Sequence, residues 1–240
     1  MRITFLGSSH GVPEPGRKCS AVLVTIGENR YLIDIGCDVV PELINRNIDM
    51  KTVKGIFVAH PHGDHANGIF AFVELANWFA SKSNPKILFP IDGVKEVLEQ
   101  WTALMSGGHG MRPMAIEKYS AGEIFNDGVL KVTAIPTRHC NDSYAFLLEA
   151  EGKRVLYTGD LMGITAEDFP MEPVNEGLDF LIGESAHFST MKYVDFLKDK
   201  PVKRVAITHH FAMNEHFWDA QQALKPLPMS LIFDGMEFDV

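Results

Sequence analysis

Strands alternating with helices along the chain predict an α/β layered domain. Two observations lead there. Short runs rich in Val, Ile, Leu and Phe recur between Gly, Asn and Asp clusters, and stretches with apolar residues at helical spacing separate them. No low-complexity tract and no Pro/Gly/Ser linker interrupts the pattern, so residues 1–240 read as one domain with room for a generous core.

In chain order, Arg2–Leu6, Ala21–Ile26 and Arg30–Ile35 read as strands, the last two joined by a Gly27-Glu28-Asn29 turn. Pro41–Arg46 is a short helix and Ile56–Ala59 a buried strand. A helix fits Ala66–Ala80, where Ile69, Phe72, Val73, Ala76 and Phe79 share one face; Phe70, Phe72, Trp78 and Phe79 read as helix-face and core material. Lys86–Phe89 is a strand and Gly93–Leu104 a helix with Asp92 as N-cap. The second half repeats this grammar. Val129–Ile135, Ser143–Leu148 and Arg154–Tyr157 are strands, the last pair joined around Glu151-Gly152. Leu178–Ile182 is a strand, Met191–Lys198 a helix, Val205–Thr208 a strand and Glu215–Leu224 a helix. Ser230–Phe233 and Met236–Val240 read as a hairpin around Asp234-Gly235.

The bulk properties narrow the function classes. The net charge of −9 argues against a large nucleic-acid footprint, which needs a basic surface. No apolar run approaches the ~20 residues of a membrane span. The opening Met1-Arg2-Ile3-Thr4-Phe5 lacks the regions of a signal peptide. Three cysteines (Cys19, Cys37, Cys140), an odd number without a CxxC, fit a reducing compartment, so the expected location is the cytoplasm.

The most informative stretch is His60-Pro61-His62-Gly63-Asp64-His65, directly after the apolar run Gly55–Ala59. Imidazole and carboxylate together suit zinc, manganese or iron, and four ligand-type groups at one strand end are hard to explain by packing. Later strand ends add His139, Asp160 and His209. Sites in α/β sheets gather at strand ends, so these residues support one another. His210 competes with His209, because neighbours on an extended strand point to opposite faces.

This order of motifs resembles the metallo-β-lactamase-fold superfamily across nearly the whole chain: HxHxDH, a lone His, an Asp after Thr158-Gly159, and a strand-end His. The opening Phe5-Leu6-Gly7, Leu32-Ile33-Asp34-Ile35-Gly36 and the closing Asp234-Gly235 are further landmarks. The resemblance implies a four-layer αβ/βα sandwich of two similar halves, with two divalent ions at one edge. It assigns one ion to His60, His62 and His139, the other to Asp64, His65 and His209, and a bridging role to Asp160. It favours His209 over His210 because the ligand directly follows a Thr such as Thr208, and it puts Asp34 behind the HxHxDH loop, holding it. Zinc is the expected metal, with manganese or iron as alternatives.

The start, from Phe5 to Pro13 with Arg17, Ser20 and Ala21, looks like the ribonuclease Z and phosphodiesterase branch. Long-armed ribonuclease Z enzymes insert a tRNA-gripping arm between the residues matching His139 and Asp160; here that interval is a bare hairpin, and the HEAT-like segment reads Gly183-Glu184-Ser185-Ala186-His187. The expected activity is hydrolysis of a small phosphodiester rather than of nucleic acid. A carbonyl substrate (lactone, thioester or amide) and a non-catalytic metal scaffold are the alternatives. No membrane partner is implied, and a homodimer is allowed.

Such a site activates a hydroxide, which Asp64 would orient; a nearby His would protonate the leaving group. His187, after Glu184 on a strand-end loop, is the first candidate for that acid. His10, His109, Arg112 and Glu184 are candidates for substrate contact, Arg112 by pairing with a phosphate. Cys140 and His216 are assigned to packing.

Overall fold

The structure, a computed structural model, describes residues 1–214 and 216–240. The first sheet lays β1 (Arg2–Gly7), β2 (Ala21–Ile26), β3 (Asn29–Ile33), β4 (Val53–Phe57), β5 (Lys86–Phe89) and β6 (Ala115–Lys118) side by side in sequence order. The second does the same with β7 (Gly122–Asn126), β8 (Lys131–Pro136), β9 (Tyr144–Ala150), β10 (Lys153–Tyr157), β11 (Phe180–Glu184), β12 (Val205–Thr208) and β13 (Met229–Leu231). The last strand, β14 (Glu237–Asp239), returns to the first sheet beside β1. Each sheet begins antiparallel (β1 to β3, β7 to β10) and continues parallel (β3 to β6, β10 to β13).

Strand alternation builds the layers. Ile3, Phe5, Tyr31, Ile33 and Phe57 meet Val132, Phe146, Leu148, Tyr157 and Phe180 in the core between the sheets. Their neighbours Leu6, Leu32, Ile56 and Ile87 point outward, under α1 (Val40–Asn45), α3 (Ile69–Trp78) and α4 (Val94–Met105). Leu147, Leu156, Leu181 and Ile207 do the same under α5 (Met171–Glu176), α6 (Lys192–Leu197) and α7 (Phe217–Ala223). Strands buried on both faces explain the unbroken apolar runs. The result is the expected four-layer αβ/βα sandwich. Among the described residues no helix is long and apolar enough to cross a membrane.

The strand directions create one functional edge. β3, β4 and β5 end there in the first sheet, and β8, β10 and β12 in the second. The Tyr144 N–H donates to the Ala59 carbonyl (3.0 Å), tying the two sheets where those ends meet.

Several elements depart from expectation. The helix expected over 66–80 is shorter, α3 (Ile69–Trp78), and a separate turn, α2 (Gly63–Ala66), precedes it. The break falls where the backbone at Gly68 docks on the loop after β3: its N–H donates to the Ile35 carbonyl (2.7 Å), and a Cβ would lie 1.8 Å from the Cys37 carbonyl oxygen. Trp78 and Phe79 are not core; they are 46% and 83% exposed at the end of α3. Gly93, not Asp92, stands at the start of α4, and Asp92 pairs with Lys118 instead. The region read as one strand over 129–135 is preceded by an edge strand, β7, and β6 and α5 were not expected from the pattern. The 230–240 hairpin is overturned: β13 joins the second sheet and β14 the first. Asp234 explains the crossing, since its carboxylate accepts from the Ser8 and Lys18 backbone N–H groups (2.9 and 2.8 Å). The helix expected at Glu215–Leu224 is α7, Phe217–Ala223; Glu215 lies outside the described residues.

Candidate metal centre

The HxHxDH segment leaves β4, turns through Pro61 and enters α2. Its shape is held from behind by the loop after β3. The Ile35 N–H donates to the His65 carbonyl (2.8 Å), and Gly36 lies so close that a Cβ would sit 1.7 Å from the Asp64 carbonyl oxygen. Only glycine permits that approach.

The side chains converge in two sets. In the first, His60 Nε2 and His139 Nε2 lie 3.1 and 3.2 Å from His62 Nδ1. In the second, His65 Nε2 is 3.3 Å from Asp64 Oδ2 and 3.3 Å from Asp160 Oδ1, and His209 Nε2 is 3.3 Å from Asp160 Oδ2. Asp160 also faces the first set, at 3.6 Å from His60 and 3.7 Å from His139. A zinc ion about 2.0–2.1 Å from each of four ligands gives ligand–ligand edges of about 3.3 Å. The spacings fit that chemistry. A second sign agrees: His65 Nε2 and Asp160 Oδ1 are buried without hydrogen-bond partners, which native structures rarely tolerate.

Protonation states point the same way. Burial pushes His60 down to about 2 and His209 to about 4, and lowers His139, so all three are neutral with a free lone pair. Burial opposes ionisation of Asp64 and Asp160, but His65 holds both carboxyls below their usual range, with help from His209. His65 is pushed up well above the usual imidazole value: burial works against this, but Asp160 and Asp34 outweigh it. The negative charge that retains that proton is the charge a cation would neutralise.

Two residues aim the imidazoles, Asp34 and Ser20, and Tyr157 supports Asp34. Asp34, at a φ of 57°, accepts from His65 Nδ1 (2.7 Å), the Tyr157 hydroxyl (2.6 Å) and the Ala59 N–H (2.7 Å). With Nδ1–H engaged, a neutral His65 presents its lone pair on Nε2. Ser20 Oγ lies 2.9 Å from His209 Nδ1 and does the same there. Tyr157 was not singled out from the sequence, and Ser20 appeared only as a landmark. His210 is excluded from the cluster, because its Nδ1 and Nε2 lie 2.6 and 2.8 Å from the carbonyls of Phe211 and Ile232.

Of the other candidates, His187 is at the site. Its ring lies 4.7 Å from that of His139 and is stacked with that of His209 at 5.8 Å. Glu184 is not positioned to touch substrate. It is 1% exposed and accepts from His187 Nδ1 (2.8 Å) and from backbone N–H groups of Leu161 and Ala186. That bond is the main reason the His187 pKa is raised. His10 lies at the rim beside Gly11, where a Cβ would be 3.7 Å from Asp64 Oδ2.

His109 and Arg112 are not brought to the cluster. The Arg112 guanidinium donates to the carbonyls of Ala76 and Ser83, and the His109 ring packs edge-on against Trp78. Both sit at the far end of α3, about 13 Å along its axis from the end that meets the ligand loop. Arg112 therefore clamps that end of the helix, away from the cluster. His216 is exposed at the start of α7. Cys140 is half-buried, and its thiol is pushed up, chiefly by burial.

Known proteins share this architecture. Ribonuclease BN of Citrobacter koseri is 32% identical over 158 residues, 64% of this chain and 51% of that protein. The chain thus spans about half the length of the curated relatives it matches. The metallo-β-lactamase-fold protein YhfI of Bacillus subtilis superposes with a TM-score of 0.79 at 17% identity, covering 99% of this chain and 98% of that one. The short form of human tRNase Z superposes with a TM-score of 0.79 at 21% identity, covering 100% and 99%. These likenesses show the metallo-β-lactamase fold. The family described as Anti-Pycsar protein Apyc1 matches residues 1–182, three quarters of the sequence, and the chain belongs to that family.

Proposed function

We propose that this protein is a metal-dependent hydrolase that holds two divalent ions, zinc before manganese or iron, and acts on a small phosphodiester. The observation that carries the reading is Asp160, a buried carboxylate that lies between the two sets: its Oδ2 is 3.6 and 3.7 Å from His60 and His139 and 3.3 Å from His209, and its Oδ1 is 3.3 Å from His65. One set (His60, His62, His139) and the other (Asp64, His65, His209) then share a single bridging ligand. Bound there, divalent ions lower the pKa of water from near 16 toward roughly 7 and neutralise charge on phosphoryl oxygens.

The chain's own groups do the rest. Asp64, ionised and partly exposed, orients the attacking water. His187 holds its proton on the side facing the cluster and delivers it to the leaving oxygen, with Glu184 fixing the ring through Nδ1. His10 lies where a substrate would pass Asp64. The ribonuclease names of its relatives favour phosphodiester chemistry. A net charge of −9 and the short interval between β9 and β10 favour a small substrate over RNA.

The test is hydrolysis of bis(p-nitrophenyl) phosphate by protein loaded with zinc or with manganese, beside a chelated control. Metal-dependent turnover with two ions per chain is expected. Two bound ions without turnover would move the assignment to carbonyl esters, thioesters or lactones. Fewer than two ions in active protein would overturn the shared-ligand arrangement.

A further inference from the structure

Two aromatic rings are braced in contact at the Asp64 side of the cluster. Ser9 bridges to His210 in parallel, which sets His10 beside Phe211. Their rings pair in a tilted arrangement, with centroids 4.0 Å apart and planes 33° apart. The buried Arg17 fixes both loops: its guanidinium donates to the His210 carbonyl (2.8 Å) and to Glu14 (2.6 Å). Glu14 in turn accepts from the Ala212 N–H (3.2 Å) and faces His10 Nε2 (3.4 Å). Phe211 follows the ligand His209 by two residues, and Gly11, next to His10, is the residue that meets Asp64. Yet Phe211 remains 50% exposed, with His10 covering one side of its ring.

We propose that His10 and Phe211 form a stacking platform for a flat aromatic group on the substrate. The inference rests on the phosphodiester reading and narrows it: one ester arm carries a planar ring. Aromatic rings pair offset or tilted at such distances with a gain beyond the area they bury, and a ring already braced by a neighbour loses little freedom when it pairs again. The network through Glu14 and Arg17 serves that bracing. It holds an exposed aromatic side chain in one place beside the ligands, where a free Phe on a loop would turn away.

The test is calorimetric binding of three probes to zinc-loaded protein: methylphosphonate, cyclohexylphosphonate and phenylphosphonate. They share one anionic head and differ in the group beside it. Phenylphosphonate is expected to bind roughly threefold to tenfold more tightly than cyclohexylphosphonate, the range that aromatic pairing supplies. Phe211→Leu should remove that preference and Phe211→Trp should keep it. Equal binding of the phenyl and cyclohexyl probes, or a preference that survives Phe211→Leu, overturns the platform while methylphosphonate binding leaves the phosphodiester reading standing. Failure of all three probes to bind overturns both.

Discussion

The two ligand sets differ in how their imidazoles are held. In the Asp64, His65, His209 set, both outer nitrogens are anchored: His65 by Asp34, and His209 by Ser20. Both rings are buried. In the His60, His62, His139 set, His62 is exposed and His139 half-buried. There the outer nitrogen of His60 has no partner, and among the described residues nothing hydrogen-bonds to the outer nitrogens of His62 or His139. Outer partners fix the tautomer and the direction of a metal-binding ring. The rings of the second set are therefore fixed by the protein alone, while those of the first set lack such outer partners among the described residues. Asp160 faces both sets.

Four experiments would break or sharpen that contrast. The largest effect belongs to Asp160→Ala, which takes a ligand from both sets. Metal content should fall below one ion per chain, and turnover of bis(p-nitrophenyl) phosphate by about a thousandfold or more. Retention of two ions would show that the sets are independent.

Next comes partial chelation. Substoichiometric chelator should strip the His60, His62, His139 set first, so the imidazole NMR signals of those residues move before those of His65 and His209. The reverse order would contradict the difference in anchoring. Asp34→Asn keeps the shape and tolerates a positive φ, but removes the charge. It should weaken ion binding at the second set about tenfold to a hundredfold. Ser20→Ala removes a neutral partner and should cost roughly twofold to tenfold. Equal losses in a metal titration would mean that the Asp34 charge is unimportant.

The smallest effect is a shift in pH dependence. Glu184 raises the His187 pKa, so the acid keeps its proton to higher pH, and activity falls only as pH climbs through that raised value. Glu184→Gln lowers the His187 pKa, so the falling limb of the pH–rate profile should move to lower pH. A limb that stays put would remove His187 from the acid role.

Some of this was written locally in the chain. HxHxDH is legible because its ligands lie within one turn of backbone, and Asp160 and His209 because each ends an apolar run. The helix 66–80 and the hairpin 230–240 were misread for the opposite reason. Their local patterns are sound, but Gly68 yields to a backbone contact with the β3 loop, and Asp234 spends its carboxylate on residues more than two hundred positions away. His109 and Arg112 were misplaced by proximity in sequence. β5 ends at the functional edge, and α4 then runs twelve residues, about 18 Å, back toward the other edge. A reading that followed strand direction would have put the 106–112 loop there.

The sequence by itself determined the candidate ligand types, their order and the layered α/β grammar, because these depend on spacings of a few residues and on short apolar runs. Tertiary structure alone decided which groups aim them. Asp34 and Tyr157 are 123 positions apart, Ser20 and His209 are 189, and His10 meets Phe211 only across the Ser9–His210 bridge. Such pairs carry no periodicity. They arise when two sheets close face to face and bring strand ends from both halves to one edge, where the buried polar atoms must find partners or a cation.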